Sequence, residues 1–375
     1  SEIKICAVAT EIYAKGGGYM KKIVLTGGPC SGKTTALKYV SEKLSDLGYS
    51  VICVPEAATF VINSGISPAA LLSPRSRKKY LELEELMVKT QLMFEDKIFA
   101  ELAKIKNSNK TVMILDRGCM DIAAYVKQEE FQSILRKNKW NIVDLRDKRY
   151  DAVFHLVTAA DGKKEFYTKV NNAARYENAE EAVAADKRTQ TAWLGHPHLW
   201  IIDNSTLFEA KMKRLVEAIK KALGIPTSLE IERKFLVHKN FLLKYPIPVP
   251  YQKIFIEQAY LQKRGDKEWR IRRRGQDGKF VYWKTSKKWL ARGSAKLTTG
   301  GVRKETEERI SCKEYRKLMT ERDTRRNVIR KERVCFLWKN HYFEMDFFLD
   351  SEIGYGIVLL EIELTRKNEK VEMPE

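Results

Sequence analysis

Apolar positions follow two different rhythms along the chain, and the change comes near residue 225. Before it, short apolar clusters alternate with longer stretches at helical spacing. Strands are predicted over 21–26, 51–55, 111–115, 152–157 and 199–202, and helices over 34–47 (stopped by Gly48), 81–105 and 208–223. Strands alternating with helices predict an α/β domain with a parallel, doubly wound sheet covered on both faces. Gly224-Ile225-Pro226 punctuates its end. From Leu229 onward the period falls to two, with strands expected over 229–237, 254–262, 268–274, 279–285, 302–311, 328–338, 341–348 and 357–364, and a helix near 313–323. This predicts an α+β domain built on an eight-stranded antiparallel β-barrel. The expected division is 1–19 as a leader or expression remnant ending in Gly16-Gly17-Gly18, 20–224 as the first domain and 225–375 as the second.

Between the first strand and first helix stands Gly27-Gly28-Pro29-Cys30-Ser31-Gly32-Lys33-Thr34, which satisfies G-x-x-x-x-G-K-[ST] in its proper strand–loop–helix setting. Such a P-loop turns backbone N–H groups toward phosphates at the positive end of a helix. Lys33 adds a mobile charge, Thr34 offers a hydroxyl to Mg²⁺, and Thr35 extends the first turn. Asp116, directly after the third strand, is placed to hold Mg²⁺ or take a proton; capping a helix is its alternative role. Glu56 ends the second strand at the sheet edge where α/β ligands bind, and is a candidate base or a structural acceptor. Arg175 and Arg188 are candidates for a lid over the transferred phosphoryl group, or for a solvated helix face. The guanine-reading [NT]-K-x-D box is missing, Thr168-Lys169-Val170-Asn171 coming nearest. His196 and His198 lack a partner cluster and read as a structured loop.

Composition narrows the setting. With 44% hydrophobic residues and 31% charged, both domains can hold real cores, and a net charge of +20 favours polyanionic partners. Six scattered cysteines without a C-x-x-C suggest a reducing, cytoplasmic location, and no apolar run is long enough to span a membrane.

In the second half, charges recur at every second position, so each strand shows one charged face. Glu230, Glu232 and Lys234 share a face, as do Arg270 and Arg272, Glu305 and Glu307, Lys331 and Arg333, Glu344 and Asp346, and Glu361 and Glu363; Lys284 is a single further base. For one strand, a water-facing surface explains this. Segregation of acids and bases onto different strands favours a shared interior, where carboxylates suit Mg²⁺ or Mn²⁺ and arginines a chain of phosphates.

These ordered motifs resemble the CYTH domain of the triphosphate tunnel metalloenzymes. The first half, with Thr26–Thr34, Val54-Pro-Glu56-Ala-Ala, Asp116-Arg-Gly and Ala192-Trp-Leu-Gly-His-Pro197, resembles the NadR-like P-loop kinases. The combination resembles the TRPL translocation defect protein family, a GTP-binding group. The resemblance implies divalent ions on Glu230, Glu232, Asp346, Glu361 and Glu363, with Glu232 and Lys234 in catalysis. It implies phosphates on Lys234, Arg270, Arg272, Lys284, Lys331 and Arg333. The segment 286–301 is longer than the usual strand connection in such barrels. The leading expectation is an ATP- or GTP-binding module joined to a metal-dependent triphosphatase acting on tripolyphosphate, thiamine triphosphate or a nucleoside triphosphate. The alternatives are a kinase of a small hydroxyl compound, with Asp116 or Glu56 as base, and a nucleotide-switched adaptor docking on anionic phospholipid at the membrane periphery. Nucleic acid is disfavoured, because the aromatics interleaved with bases stand at strand spacing.

Overall fold

A computed structural model of the chain describes residues 20–106, 110–162, 178–225, 231–238, 240, 246–262, 267–291, 302–350, 357–365 and 369–374. The chain divides into two compact units, one running to Val216 and the other starting at Glu217.

The first unit is built on β1 (Lys21–Thr26), β2 (Ser50–Val54), β3 (Thr111–Asp116), β4 (Ala152–Leu156) and β5 (Leu199–Ile202). All pair in parallel in the order β2-β3-β1-β4-β5. Its helices are α1 (Lys33–Asp46), α2 (Ala57–Asn63), α3 (Arg77–Met93), α4 (Phe99–Lys106), α5 (Gln128–Lys137) and α6 (Ala179–Ala192), and α7 (Phe208–Ala222) runs across the division at Val216. Central strands carry nearly unbroken apolar runs because both faces of a parallel sheet are covered; Ile23, Val24, Leu25 and Val112 to Leu115 are all buried. Helix α1 buries Ala36, Val40 and Leu44, one residue per turn. The single helix expected over 81–105 is instead divided by a wider π turn at Phe94–Ile98. There Glu95 is fully buried, accepting hydrogen bonds from Tyr150 Oη at 2.8 Å, Gln91 Nε2 at 2.9 Å and Arg149 Nη1 at 3.0 Å. The sequence pattern predicts no helix at α2, α5 or α6: α2 has only seven residues and α5 ten, and in α6 the apolar residues are mostly alanines set among charges.

The second unit is one antiparallel sheet with helix α8 (Cys312–Thr320). Its strands are β6 (Ile231–His238), β7 (Tyr251–Tyr260), β8 (Lys267–Gln276), β9 (Lys279–Ala291), β10 (Val302–Ile310), β11 (Ile329–Trp338), β12 (His341–Phe348) and β13 (Ile357–Leu364). Their order is β10-β9-β8-β7-β11-β12-β13-β6. The expected barrel is therefore corrected to an open sheet: among the described residues no ladder joins β10 to β6. Period-two patterning tells which side chains share a face, but closure depends on strand tilt and stagger, which it does not encode. One face carries the apolar cluster of Val334, Phe336, Phe343, Met345, Val358, Leu360, Ile362 and Leu364. Of the segment 286–301, residues 286–291 lengthen β9 and pair with β10, Ala291 standing opposite Val302, and 292–301 lie outside the described residues. Among the described residues no helix is long and apolar enough to cross a membrane.

Candidate functional site

All five parallel strands end at one edge, and β1 and β4 leave toward opposite sides of the sheet. A crevice at such a reversal is where ligands of these folds bind. The loop 27–32 opens there. Gly27, at φ +149°, lies so close to β4 that a Cβ would sit 2.3 Å from the Leu156 carbonyl oxygen. The first internal bond of α1 runs from the Ala36 amide to the Gly32 carbonyl at 2.9 Å. The amides of Lys33, Thr34 and Thr35 thus precede the helical ladder, at its positive end. Lys33 Nζ folds back to donate to the Gly27 and Gly28 carbonyls at 3.0 and 3.2 Å. Burial lowers its pKa, helped by Arg117 and opposed by Asp116 and Glu56. Thr34 and Thr35 are exposed.

Strand β3 lies beside β1 with Asp116 opposite Leu25, which brings this carboxylate next to the loop. Asp116 Oδ1 is buried and has no hydrogen-bond partner. Burial raises its pKa, against the pull of Lys33. Glu56, at the start of α2, pairs with Arg117 and accepts from Thr59 Oγ1. Burial pushes Glu56 up, but Arg117 and Lys33 outweigh it and hold the carboxyl below its ordinary value. Cys30 and Arg117 both adopt left-handed backbone, at φ 56° and 67°. Strained non-glycine residues of this kind are kept where surrounding structure forces them, commonly at binding sites.

The loop is also gripped from outside. The Gly28 amide donates to Asp186 Oδ1 at 2.6 Å, Thr158 Oγ1 donates to the Pro29 carbonyl, and the Ala159 amide reaches the Cys30 carbonyl at 3.2 Å. No sequence motif assigns Asp186, His155 or Thr158 to the site, because their importance rests on contacts with residues far away along the chain. Arg188 is exposed and donates Nε to the Ala124 carbonyl at 2.9 Å; Arg175 lies outside the described residues. His196 is buried, with Nε2 3.2 Å from the Tyr150 carbonyl.

In the second unit, register places most of the expected set on one sheet face. Glu232 faces Glu363, Lys234 faces Glu361, Glu344 faces Glu361, and Arg333 faces Asp346. Lys331 shares that face, as do Arg270 and Arg272, linked through Gln258 of β7. Lys284 is a correction. It stands opposite Ile271 on the other face, with Nζ 5.0 Å from the Trp269 ring centre. Residue parity decides this, since Thr285 and not Lys284 aligns with Arg270. Glu230 lies outside the described residues, as does the Glu305 side chain.

Acids and bases on this face meet each other. Arg333 holds Asp346 through both oxygens at 2.7 Å, reaches Glu361 at 2.9 Å and also pairs with Glu344. Lys331 pairs with Asp346, and Lys234 bridges Glu361 at 2.6 Å and Glu232 at 3.1 Å. Glu363 is exposed. Among the described residues no group of three His, Cys, Asp or Glu converges as a metal site. The implied ion set of Glu232, Asp346, Glu361 and Glu363 is thus engaged by basic side chains or spread out. Arg272 pairs with Glu307 at 2.7 Å, and its pKa is lowered by burial and by the charges of Arg270, Arg274 and Arg333.

Solved structures similar to this chain include the PH1012 and PH1819 proteins of Pyrococcus horikoshii OT3 and a conserved hypothetical protein of Pyrococcus furiosus. They share 20%, 17% and 18% identity over 37% of this chain, covering 80%, 80% and 81% of theirs, with TM-scores of 0.27, 0.28 and 0.27. Likenesses this remote carry no functional argument. No curated protein matches. A family model described as an AAA domain matches residues 22–211, about half of the chain and all of the phosphate-loop site. The chain belongs to this AAA domain family.

Proposed function

We propose that the first unit binds a magnesium nucleotide and transfers its terminal phosphoryl group to a small hydroxyl acceptor or to water. The observation that carries this is the juxtaposition of Lys33 with the buried, unpartnered oxygen of Asp116 at the mouth of the loop. The donor set fits Mg²⁺ or Mn²⁺: an exposed Thr34 hydroxyl and a carboxylate oxygen without a protein partner. These two residues would hold the ion, which when bound neutralises phosphate charge. Amides of the loop and of Lys33 to Thr35 cradle the phosphates, and Lys33 offsets negative charge between the β- and γ-phosphates. Glu56, kept anionic by Arg117 and Lys33, takes the proton of the attacking hydroxyl.

Nucleotide turnover followed with and without candidate acceptors tests this. Consumption of ATP or GTP only when acceptor is present identifies a kinase, and acceptor-independent phosphate release a hydrolase. Lys33→Ala should lower the rate by roughly a hundredfold or more. Unchanged turnover in that variant would remove the loop from the chemistry.

A second reading concerns the charged sheet face, where burial and the nearby Arg270, Arg274 and Arg333 depress the pKa of Arg272. That arrangement suits a triphosphate, whose oxygens would replace carboxylates as partners of these guanidiniums. Metal-assisted hydrolysis there requires Asp346 or Glu361 to leave its basic partners. Phosphate release from tripolyphosphate, thiamine triphosphate, ATP and GTP, with and without Mg²⁺, tests it; Glu232→Gln should abolish the activity while Lys33→Ala spares it. Saturable binding to anionic vesicles with no turnover would favour the adaptor.

A further inference from the structure

Asp186 lies at the middle of α6, is 2% exposed, and belongs to none of the groups that face a nucleotide. Its carboxylate nevertheless reaches the phosphate loop from behind. Oδ1 accepts the Gly28 amide at 2.6 Å and lies 3.0 Å from His155 Nε2, while Oδ2 accepts from Gln190 Nε2 at 3.2 Å. The approach is tight: a Cβ on Gly28 would fall 2.7 Å from Asp186 Oδ1 and 3.0 Å from its Cα. Three successive loop residues are thereby anchored from outside, Gly28 by Asp186, Pro29 by Thr158 and Cys30 by Ala159. Asp186 is the charged anchor, and the one borne on a helix.

We propose that Asp186 is a positioning residue, which by holding the Gly28 amide sets the shape in which the loop receives the nucleotide's phosphates. The inference rests on nucleotide binding by the loop. A buried amide that loses a carboxylate acceptor must find another partner, and the nearest route is rotation of the Gly27–Gly28 and Gly28–Pro29 peptides. That rotation would move the Gly27 and Gly28 carbonyls on which Lys33 rests, and with them the lysine that meets the phosphates. Helix α6 thus gains a direct hold on the phosphate site without contributing an atom to it.

The test compares equilibrium binding of Mg-ATP, Mg-GTP and the corresponding nucleosides to the full chain and its variants. Asp186→Ala should weaken the triphosphates by roughly ten- to a hundredfold, the range for loss of a hydrogen bond to a charged group, and leave nucleoside binding unchanged. Asp186→Asn keeps an oxygen for the Gly28 amide and should restore most of the affinity. Gln190→Ala, which removes the donor to the other carboxylate oxygen, should bind like the parent. Triphosphate affinity unchanged in folded Asp186→Ala, equal weakening in Asp186→Asn, or parallel loss of nucleoside binding would each overturn the proposal. Should Asp186→Ala fail to fold, Gly28→Ala separates the same pair from the other side, and undiminished affinity there overturns it. If the parent binds no nucleotide, the proposed function falls and this inference with it; if the parent binds and the variants do not differ, this inference alone falls.

Discussion

Glu84 illustrates how far a single residue's chemistry can depart from its sequence context. It sits on α3 in a run of acids and bases that reads as a solvated helix face, yet it is buried to 5% exposure. Burial raises its pKa to about 7, although Tyr80, Arg77 and Arg117 pull the other way. The native state therefore holds a proton on Glu84 more tightly than the unfolded chain, whose carboxyl titrates near 4.5. Its contribution to stability is fully present below about pH 4.5 and is lost as pH rises through about 7, on the order of 3 kcal/mol in all. Thermal unfolding from pH 4.5 to 8 should show this fall in the parent. Glu84→Gln, neutral throughout, should remove most of it and melt higher than the parent at pH 8; matching pH profiles would show that Glu84 titrates normally. The opposite case is Lys33, legible from its motif alone because the spacing of glycines around it has one principal use.

At the scale of elements, the turn after β3 is shaped by packing as much as by local preference. A methyl group on Gly118 would meet the Trp193 ring at 2.9 Å and the Tyr150 ring at 3.1 Å, and Trp193 Nε1 donates to Asp121 at 2.8 Å. Gly118→Ala should cost roughly 1–3 kcal/mol by overpacking, read as a lower unfolding midpoint. Nucleotide affinity should fall alongside, since Asp116 and Arg117 directly precede the turn. On β11 and β12, Asp346 is fully buried between Arg333 and Lys331. Asp346→Ala takes the carboxylate from Lys331 and leaves Arg333 with Glu344 and Glu361 alone, and should destabilise the second unit by roughly 3–5 kcal/mol in denaturant titration. Glu232, about half exposed, should change stability by less than about 1 kcal/mol when replaced by Gln. Equal effects would mean that the charged face carries no buried network. Strand positions and shared faces were readable from the alternation of apolar and charged residues. Lys284 was misassigned because its neighbours Trp283 and Thr285 carry the face that Arg270 and Arg272 share.

For the whole molecule, the net charge of +20 is a long-range property that no pairing within the chain removes. Binding of tripolyphosphate to the intact chain should weaken steadily with added salt, by roughly tenfold or more between low and physiological ionic strength, as exposed charges are screened over about 8–10 Å. Salt-independent binding would place the ligand in a site screened from solvent. The two units obey different construction rules, one parallel with both sheet faces covered, the other antiparallel with a charged face and an apolar face. The family match at 22–211 concerns the first alone.

The order of the strands, the phosphate loop and, Lys284 aside, the grouping of charges by face were determined by sequence alone, because each follows from spacing within a few residues. Tertiary structure decided the rest: the edge strands β10 and β6, not joined by a ladder among the described residues, the acids neutralised by their neighbours, and Asp186 meeting a glycine 158 residues away. Those outcomes depend on which distant segments come within hydrogen-bonding reach, and no local pattern carries that information.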